Sequence, residues 1–547
     1  MNTGTAGFEI NEGDELSGFV IQNAVVIDGS AGLPFEADIA IEKGIITEIG
    51  PALQQKGRTV IDAKSHVVSP GFIDMHSHAD FSLPVLPTAD SLIHQGITTA
   101  VIGQCGLSPA PLLDPNRDQF IAGVSGILGG LDVDIPWENW SSFGDYLAFL
   151  NDLGISLNVV PLVGQGTLRA GVMGFASGSP SQEQLERMKA EAIMALHEGA
   201  WGISTGLIYP PGSYASTEEL VELTKTVAEQ GACYFTHIRG EAETLLEAVA
   251  EAIQIGRRSG ASVQISHFKA AGRRNWAKSA EALRMITQAR GEGLDVSADV
   301  YPYTAGSTGL VSLLPQWAQE GGKDSILKRL DDPALREKMK VDMETGGFKK
   351  SVDWGTILIT GSPNKQSYQG RFVSELASEH DRTPQDWIFD ALLETELQMN
   401  MTVFGMSEEN RREELKHPAM TFGTDGFGLA VGGPLAKGLP HPRSYGAFTR
   451  ILGRYVREQG ILSLEEAVYK MTGLAAQKLR LKDRGQIRPG LAADLVIFDP
   501  VSITDKATYE NPHQYAEGIL EVIVNGKIVL HDKAHTGARP GQVLVKG

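Results

Sequence analysis

Apolar and polar positions alternate with a period of two in short runs at both ends of the chain. From Gly18 to about Val68 the runs are GFVIQNAVVIDGS, EADIAIEKGIITEIG and GRTVIDAKSHVVS, and the last segment repeats the texture in GQIRPGLAADLVIFDP, GILEVIVNGKIVLHD and GQVLVKG. Such runs, broken by Gly, Asn and Asp, predict short strands, so residues 1–68 and 480–547 are expected to pair into one small β-sandwich domain. Between these ends, eight apolar runs alternate with helical patterns: 71–78, 98–105, 156–164, 202–207, 233–238, 262–268, 294–301 and 419–425. Repeated βα units imply a parallel sheet, and eight of them close a (β/α)8 TIM barrel. The fold class is therefore α/β, with the barrel in 69–305 and 418–479.

Helix boundaries are marked locally. Ser181 with Gln184, and Ser216 with Glu219, read as capping boxes, with stops at Gly199 and Gly231. The stretch 306–417 is too long for one crossover and contains its own strand signal, GTILITG at 355–361. It is expected to be an insertion after the seventh strand, near the barrel mouth.

Composition narrows the function classes. In 547 residues, 42% are hydrophobic and 21% charged, which suits a globular chain with a large core and excludes disorder or a collagen-like repeat. The 67 acidic residues exceed the 48 Lys and Arg, a net charge of −19 that opposes a nucleic-acid or anionic-membrane surface. With no secretory pattern, no apolar run of about 18 residues and only Cys105 and Cys233, the expectation is a cytoplasmic protein without membrane spans or disulfide staples. Its oligomeric state is not readable.

Barrels carry their chemistry at the carboxyl ends of strands. Here the first run ends in His76-Ser77-His78, the second in Gln104-Cys105-Gly106, the fifth in Thr236-His237, the sixth in Ser266-His267-Phe268-Lys269, the seventh in Asp299-Val300-Tyr301 and the eighth in Thr424-Asp425-Gly426. Any one of the histidines alone would read as a hydrogen-bonded structural residue, and Cys105 as a small buried apolar one. Four His, one Cys and one Asp at matching depths instead form a divalent-metal ligand set, and mixed N, S and O donors favour zinc. Cys233 lies at a strand start and reads as packing. Lys269 stands two residues beyond His267, so it should point into the same cavity.

The string GFIDMHSHAD, followed by Cys105, two separated histidines and TDG, resembles the amidohydrolase superfamily, and more narrowly its D-aminoacylase (N-acyl-D-amino-acid deacylase) family. The resemblance extends over essentially the whole chain, through GQCGLSP, STGLIYPPG, SHFKAAG, DVYPYTAGST and HPRSYG. It implies a tight zinc site on Cys105, His237 and His267, and a weaker second site on His76, His78 and Asp425. It also implies hydrolysis of small-molecule N-acyl-D-amino acids by metal-activated water, with Asp425 as general base and acid. Strand four, GISTGLIYP, lacks the lysine that bridges two metals in most binuclear relatives, and the cysteine is expected to replace it. Arg443 and Tyr209 match family positions for the substrate α-carboxylate, and Tyr301 and Ser307 are further candidates. The segment between Asp425 and Arg443 is longer and richer in Gly than in the shorter members, so the Arg443 match depends on HPR holding its register.

Other readings compete. Gly202-Ile203-Ser204-Thr205-Gly206 matches a serine-hydrolase elbow, with Asp425 and His441 in suitable order, although no helix pattern starts at the turn. A non-catalytic scaffold of the same fold would lose metal ligands, and a cyclic-amide hydrolase would keep the strand-four lysine. His197-Glu198, which could suggest a deaminase, falls within a helix.

Overall fold

The structure of the protein, a computed structural model, describes residues 18–54, 58–128, 133–345 and 353–546. Residues 1–17, the start of the expected terminal domain, lie outside that range.

Eight strands, numbered β1 to β8 for the barrel, run parallel in chain order: Phe72–Asp74, Ile97–Ile102, Asn158–Gly164, Gly202–Gly206, Cys233–His237, Ser262–Ile265, Val296–Val300 and Met420–Phe422. The seam between β8 and β1 closes through Met75 N to Phe422 O at 3.0 Å and Asp425 N to His76 O at 2.7 Å. Side chains obey the strand period. In β5, Cys233 and Phe235 join an apolar cluster with Ile73, Val101, Val160 and Leu162, whereas Tyr234 packs in the larger cluster shared with the helices. Cys233 is thus buried packing and unpaired.

The helix Gln182–His197 carries the expected capping box, with Ser181 and Gln184 bonded reciprocally. At Thr217–Glu229 only half of that motif forms. Ser216 accepts from Glu219 N, but the Glu219 carboxylate is drawn into a buried ion pair with Arg169 at 2.6 Å. A fully desolvated guanidinium requires that counter-charge more than the helix end requires a second cap.

Both chain ends contribute to one nine-stranded sheet, joined where Leu495–Phe498 pairs antiparallel with Val67–Pro70. One face of Leu495–Phe498, Leu495 and Ile497, lines a separate core with Ile39 and Ile41; the other, Val496 and Phe498, packs on the barrel. The final residues cross to the barrel itself, with Leu544 N bonded to Val159 O at 2.8 Å.

After β7 the chain forms a three-stranded antiparallel sheet, Ala305–Gly309, Asn400–Phe404 and Ile357–Gly361, over its own core around Trp387, Phe389 and Leu310. Because Ala305–Gly309 follows β7 within a few residues, this sheet stands at the carboxyl end of the barrel. The helix Glu408–Lys416 belongs with the barrel instead: Leu415 enters the barrel core, and Glu414 accepts from Ser279 at 2.8 Å. Its charged sequence, EENRREELK, hides that role, since its buried face includes Arg411 and Glu414 as a 2.8 Å ion pair. No helix among the described residues is long and apolar enough to cross a membrane.

Candidate metal centre

The seam that closes the barrel also sets the first candidate ligands. Buried Asp74 accepts from His76 N, Thr424 N and Thr424 Oγ1 at 3.1, 2.8 and 2.6 Å, tying the residues before His78 to those before Asp425. Burial pushes the Asp74 carboxyl up to about 7, against the pull of these three donors. Cys105, His267 and Asp425 all have left-handed backbones, with φ of 55°, 34° and 51°. Such conformations are costly for non-glycine residues and persist where the surroundings impose them. At Cys105 the turn needs Gly103, where a Cβ would lie 1.9 Å from Leu162 O. Buried Ser204 pins it by accepting from Gly106 N at 3.0 Å and donating to Gly103 O.

The donor atoms converge. Cys105 Sγ lies 3.4 Å from His76 Nε2, 3.6 Å from His237 Nδ1 and 3.4 Å from His267 Nε2. Asp425 Oδ1 faces His76 Nε2 at 3.5 Å and His78 Nε2 at 3.3 Å. Two groups could each hold an ion, His76 with Cys105 and His267, and His76 with His78 and Asp425; a third joins His237, Glu241 and His267. Burial alone would raise the Cys105 thiol, but His76 and His267 hold it well below its ordinary range as a thiolate. Burial alone would likewise raise Asp425, yet Arg443 and His267 hold it well below the usual carboxylate range. A buried thiolate, four imidazoles and a carboxylate within this span fit a zinc-type ion, since packing alone gives no reason to desolvate them together.

The substrate-side candidates surround this set. Arg443, first residue of the helix Arg443–Arg450, places Nη1 2.5 Å from Asp425 Oδ2 and Nη2 3.3 Å from Ser307 O. Ser307 thus meets Arg443 through its carbonyl. Tyr209 OH bonds Thr308 Oγ1 at 3.0 Å, and its ring sits edge-on to His237 at 5.2 Å. The Tyr301 hydroxyl is buried without a hydrogen-bond partner, and Arg443 and Lys269 lie over its ring at 5.1 and 5.8 Å. A cleft beside Asp425 and Arg443 is walled by insertion residues Thr360, Gly361 and Asn400 and by the 426–440 loop through Phe427, Leu429 and Leu435.

The serine-hydrolase alternative is not assembled. The Ser204 hydroxyl is spent on backbone, and His441 is held by Ala305 O at 2.9 Å and Arg443 N at 3.0 Å. His197 ends the helix Gln182–His197, away from the strand ends. Sequence reasoning missed Glu241, whose carboxylate faces His237, His267 and Lys269. Its signal was present as the His237 to Glu241 spacing just past a strand end, but the segment RGEAE reads as a solvated loop. Asp299 was visible only as a strand end; it contacts His76 Nδ1 at 3.4 Å and accepts from His267 N at 2.7 Å.

The amidohydrolase family model matches residues 59–319 and 379–530. The chain is 37% identical to an N-acyl-D-aspartate deacylase of Alcaligenes xylosoxydans xylosoxydans, over 97% of this chain and 95% of that protein. It belongs to the amidohydrolase family. Within that family this amidohydrolase falls in the N-acyl-D-amino-acid deacylase branch, being also 35% identical to a D-aminoacylase of the same organism, over 96% of this chain and 97% of that one. In structure it resembles the N-acyl-D-glutamate deacylase of Bordetella bronchiseptica, solved with zinc and a phosphonate mimic of the reaction's tetrahedral intermediate. The TM-score is 0.81 at 31% identity, covering 97% of this chain and 100% of that one. It is a hydrolase of the amidohydrolase type, and its buried donor set is one that a zinc-type ion would fit. At Gly206, the last residue of β4, the backbone packs so closely on the Cys105 turn that a Cβ would lie 1.9 Å from Cys105 O.

Proposed function

We propose that the chain hydrolyses N-acyl-D-amino acids to a carboxylate and a free D-amino acid, with Cys105, His237 and His267 holding a tight zinc and His76, His78 and Asp425 a weaker second one. The observation that carries this reading is the contact of the Arg443–Asp425 ion pair with the buried ligand cluster, which puts a carboxylate-binding cation beside a metal-facing base. Bound there, zinc would supply Lewis acidity to the amide carbonyl and the attacking water.

Each residue then has a task. Asp425 takes a proton from the attacking water and returns it to the departing amine. Arg443 and Lys269 receive the α-carboxylate, supported by Tyr209, Tyr301 and the Ser307 backbone. The incoming carboxylate competes with Asp425 for Arg443, so substrate binding loosens the pair that keeps the base weak. A cytoplasmic setting would keep the Cys105 thiol reduced, as ligation requires.

The test is a hydrolysis screen of N-acetyl-D- and N-acetyl-L-amino acids alongside metal quantification. Turnover confined to the D series by zinc-loaded protein is expected. Equal turnover of amides lacking the α-carboxylate would overturn the recognition scheme.

A further inference from the structure

Glu241 sits where two imidazoles and an ammonium meet. Its Oε2 faces His237 Nε2 at 3.7 Å, and its Oε1 lies 3.1 Å from His267 Nδ1 and 2.5 Å from Lys269 Nζ. The opposite nitrogens, His237 Nδ1 and His267 Nε2, are the ones that face Cys105 Sγ, at 3.6 and 3.4 Å. Each ring therefore presents one nitrogen to the thiolate and the other to the same carboxylate. His237 Nε2 is buried and has no hydrogen-bond partner, and Glu241 is the carboxylate aimed at it.

Lys269 complicates this geometry, because its Nζ is also 2.7 Å from His267 Nδ1. A neutral imidazole carries its proton on one nitrogen and a lone pair on the other. If His267 Nδ1 accepts from Lys269, Nε2 bears the proton and cannot ligate a metal. If Nδ1 bears the proton and donates to Glu241, Nε2 is free to ligate. The same choice holds for His237, where ligation through Nδ1 requires a proton on Nε2 and an acceptor for it. Glu241 offers one oxygen to each ring.

We infer that Glu241 is a positioning residue that fixes the metal-ligating tautomers of both His237 and His267 and competes with His267 Nδ1 as the partner of Lys269. One carboxylate then links metal loading to the placement of the substrate-binding cation. The Lys269 half of this inference rests on the functional reading above; the tautomer half rests on the ligand geometry alone.

The experiment compares zinc affinity, by chelator competition on metal-stripped protein, in wild type, Glu241→Gln and Lys269→Met. Glu241→Gln is expected to bind zinc about 10–100-fold more weakly, since an amide supplies one acceptor for two imidazole N–H groups. Its KM for an N-acetyl-D-amino acid should rise as well, because Lys269 loses its partner. Lys269→Met should bind zinc as tightly as wild type or more so, because a competing donor is gone, while its KM rises. A loss below about tenfold in Glu241→Gln, or an equal loss in Lys269→Met, would overturn the inference. If circular dichroism shows Glu241→Gln to be unfolded, Glu241→Asp, too short to span both rings, is read by the same criterion. Wild type that binds zinc as described but turns over no N-acyl-D-amino acid would defeat the functional reading and leave the tautomer assignment standing.

Discussion

Arg443 Nη1 lies 2.5 Å from Asp425 Oδ2, while the other oxygen of Asp425 faces His76 and His78. The cation that would bind the substrate is thus the partner of the group that would move the proton. Burial favours the neutral acid, and Arg443 is the foremost contribution acting against it. Removing Arg443 removes a contribution that lowers the Asp425 pKa, so the carboxyl takes up its proton at higher pH. In Arg443→Met the acidic limb of the kcat/KM profile should therefore move upward, alongside a raised KM. A pH–rate profile with an unmoved limb would separate the two residues.

Asp425→Asn should keep the zinc proposed on Cys105, His237 and His267, which are untouched, and lose about 10²–10⁴ in kcat, the range of one general acid–base group. Metal content and steady-state kinetics on the same preparation check this. Full activity would refute the assignment.

Lys269 is buried between Glu241 and His267, with its ammonium over Tyr301. If it reaches the substrate α-carboxylate, Lys269→Met forfeits a charge-assisted bond worth about 1.5–3 kcal/mol, or roughly ten- to hundredfold in KM. N-acyl amines without a carboxylate should show no such difference between variant and wild type. The comparison of the two substrate classes decides it.

Chelation should abolish activity and added zinc restore it. Ser204→Ala should retain turnover, since the hydroxyl serves the Cys105 turn. It should nonetheless lower stability by about 1–3 kcal/mol, by leaving Gly106 N–H and Gly103 C=O without their buried partner. Loss of turnover in folded, zinc-loaded Ser204→Ala would revive a nucleophilic serine.

By itself the sequence determined the barrel and named the polar residues that converge at its mouth. Short apolar runs between helical patterns leave few other ways to bury a core, and His76, His78, Cys105, His237, His267 and Asp425 each stand at or near the end of such a run, where a barrel must bring them together. Tertiary structure alone decided which charges share a partner. Glu241 reads as loop surface until β5 and β6 lie side by side; then it meets two rings and Lys269. Glu219 reads as a cap until Arg169 is buried against it, and the helix Glu408–Lys416 reads as part of an insertion until its Leu415 enters the barrel core. Periodicity reports burial along one element, whereas the pairing of polar groups depends on neighbours that are distant in sequence and on the cost of leaving any buried charge alone.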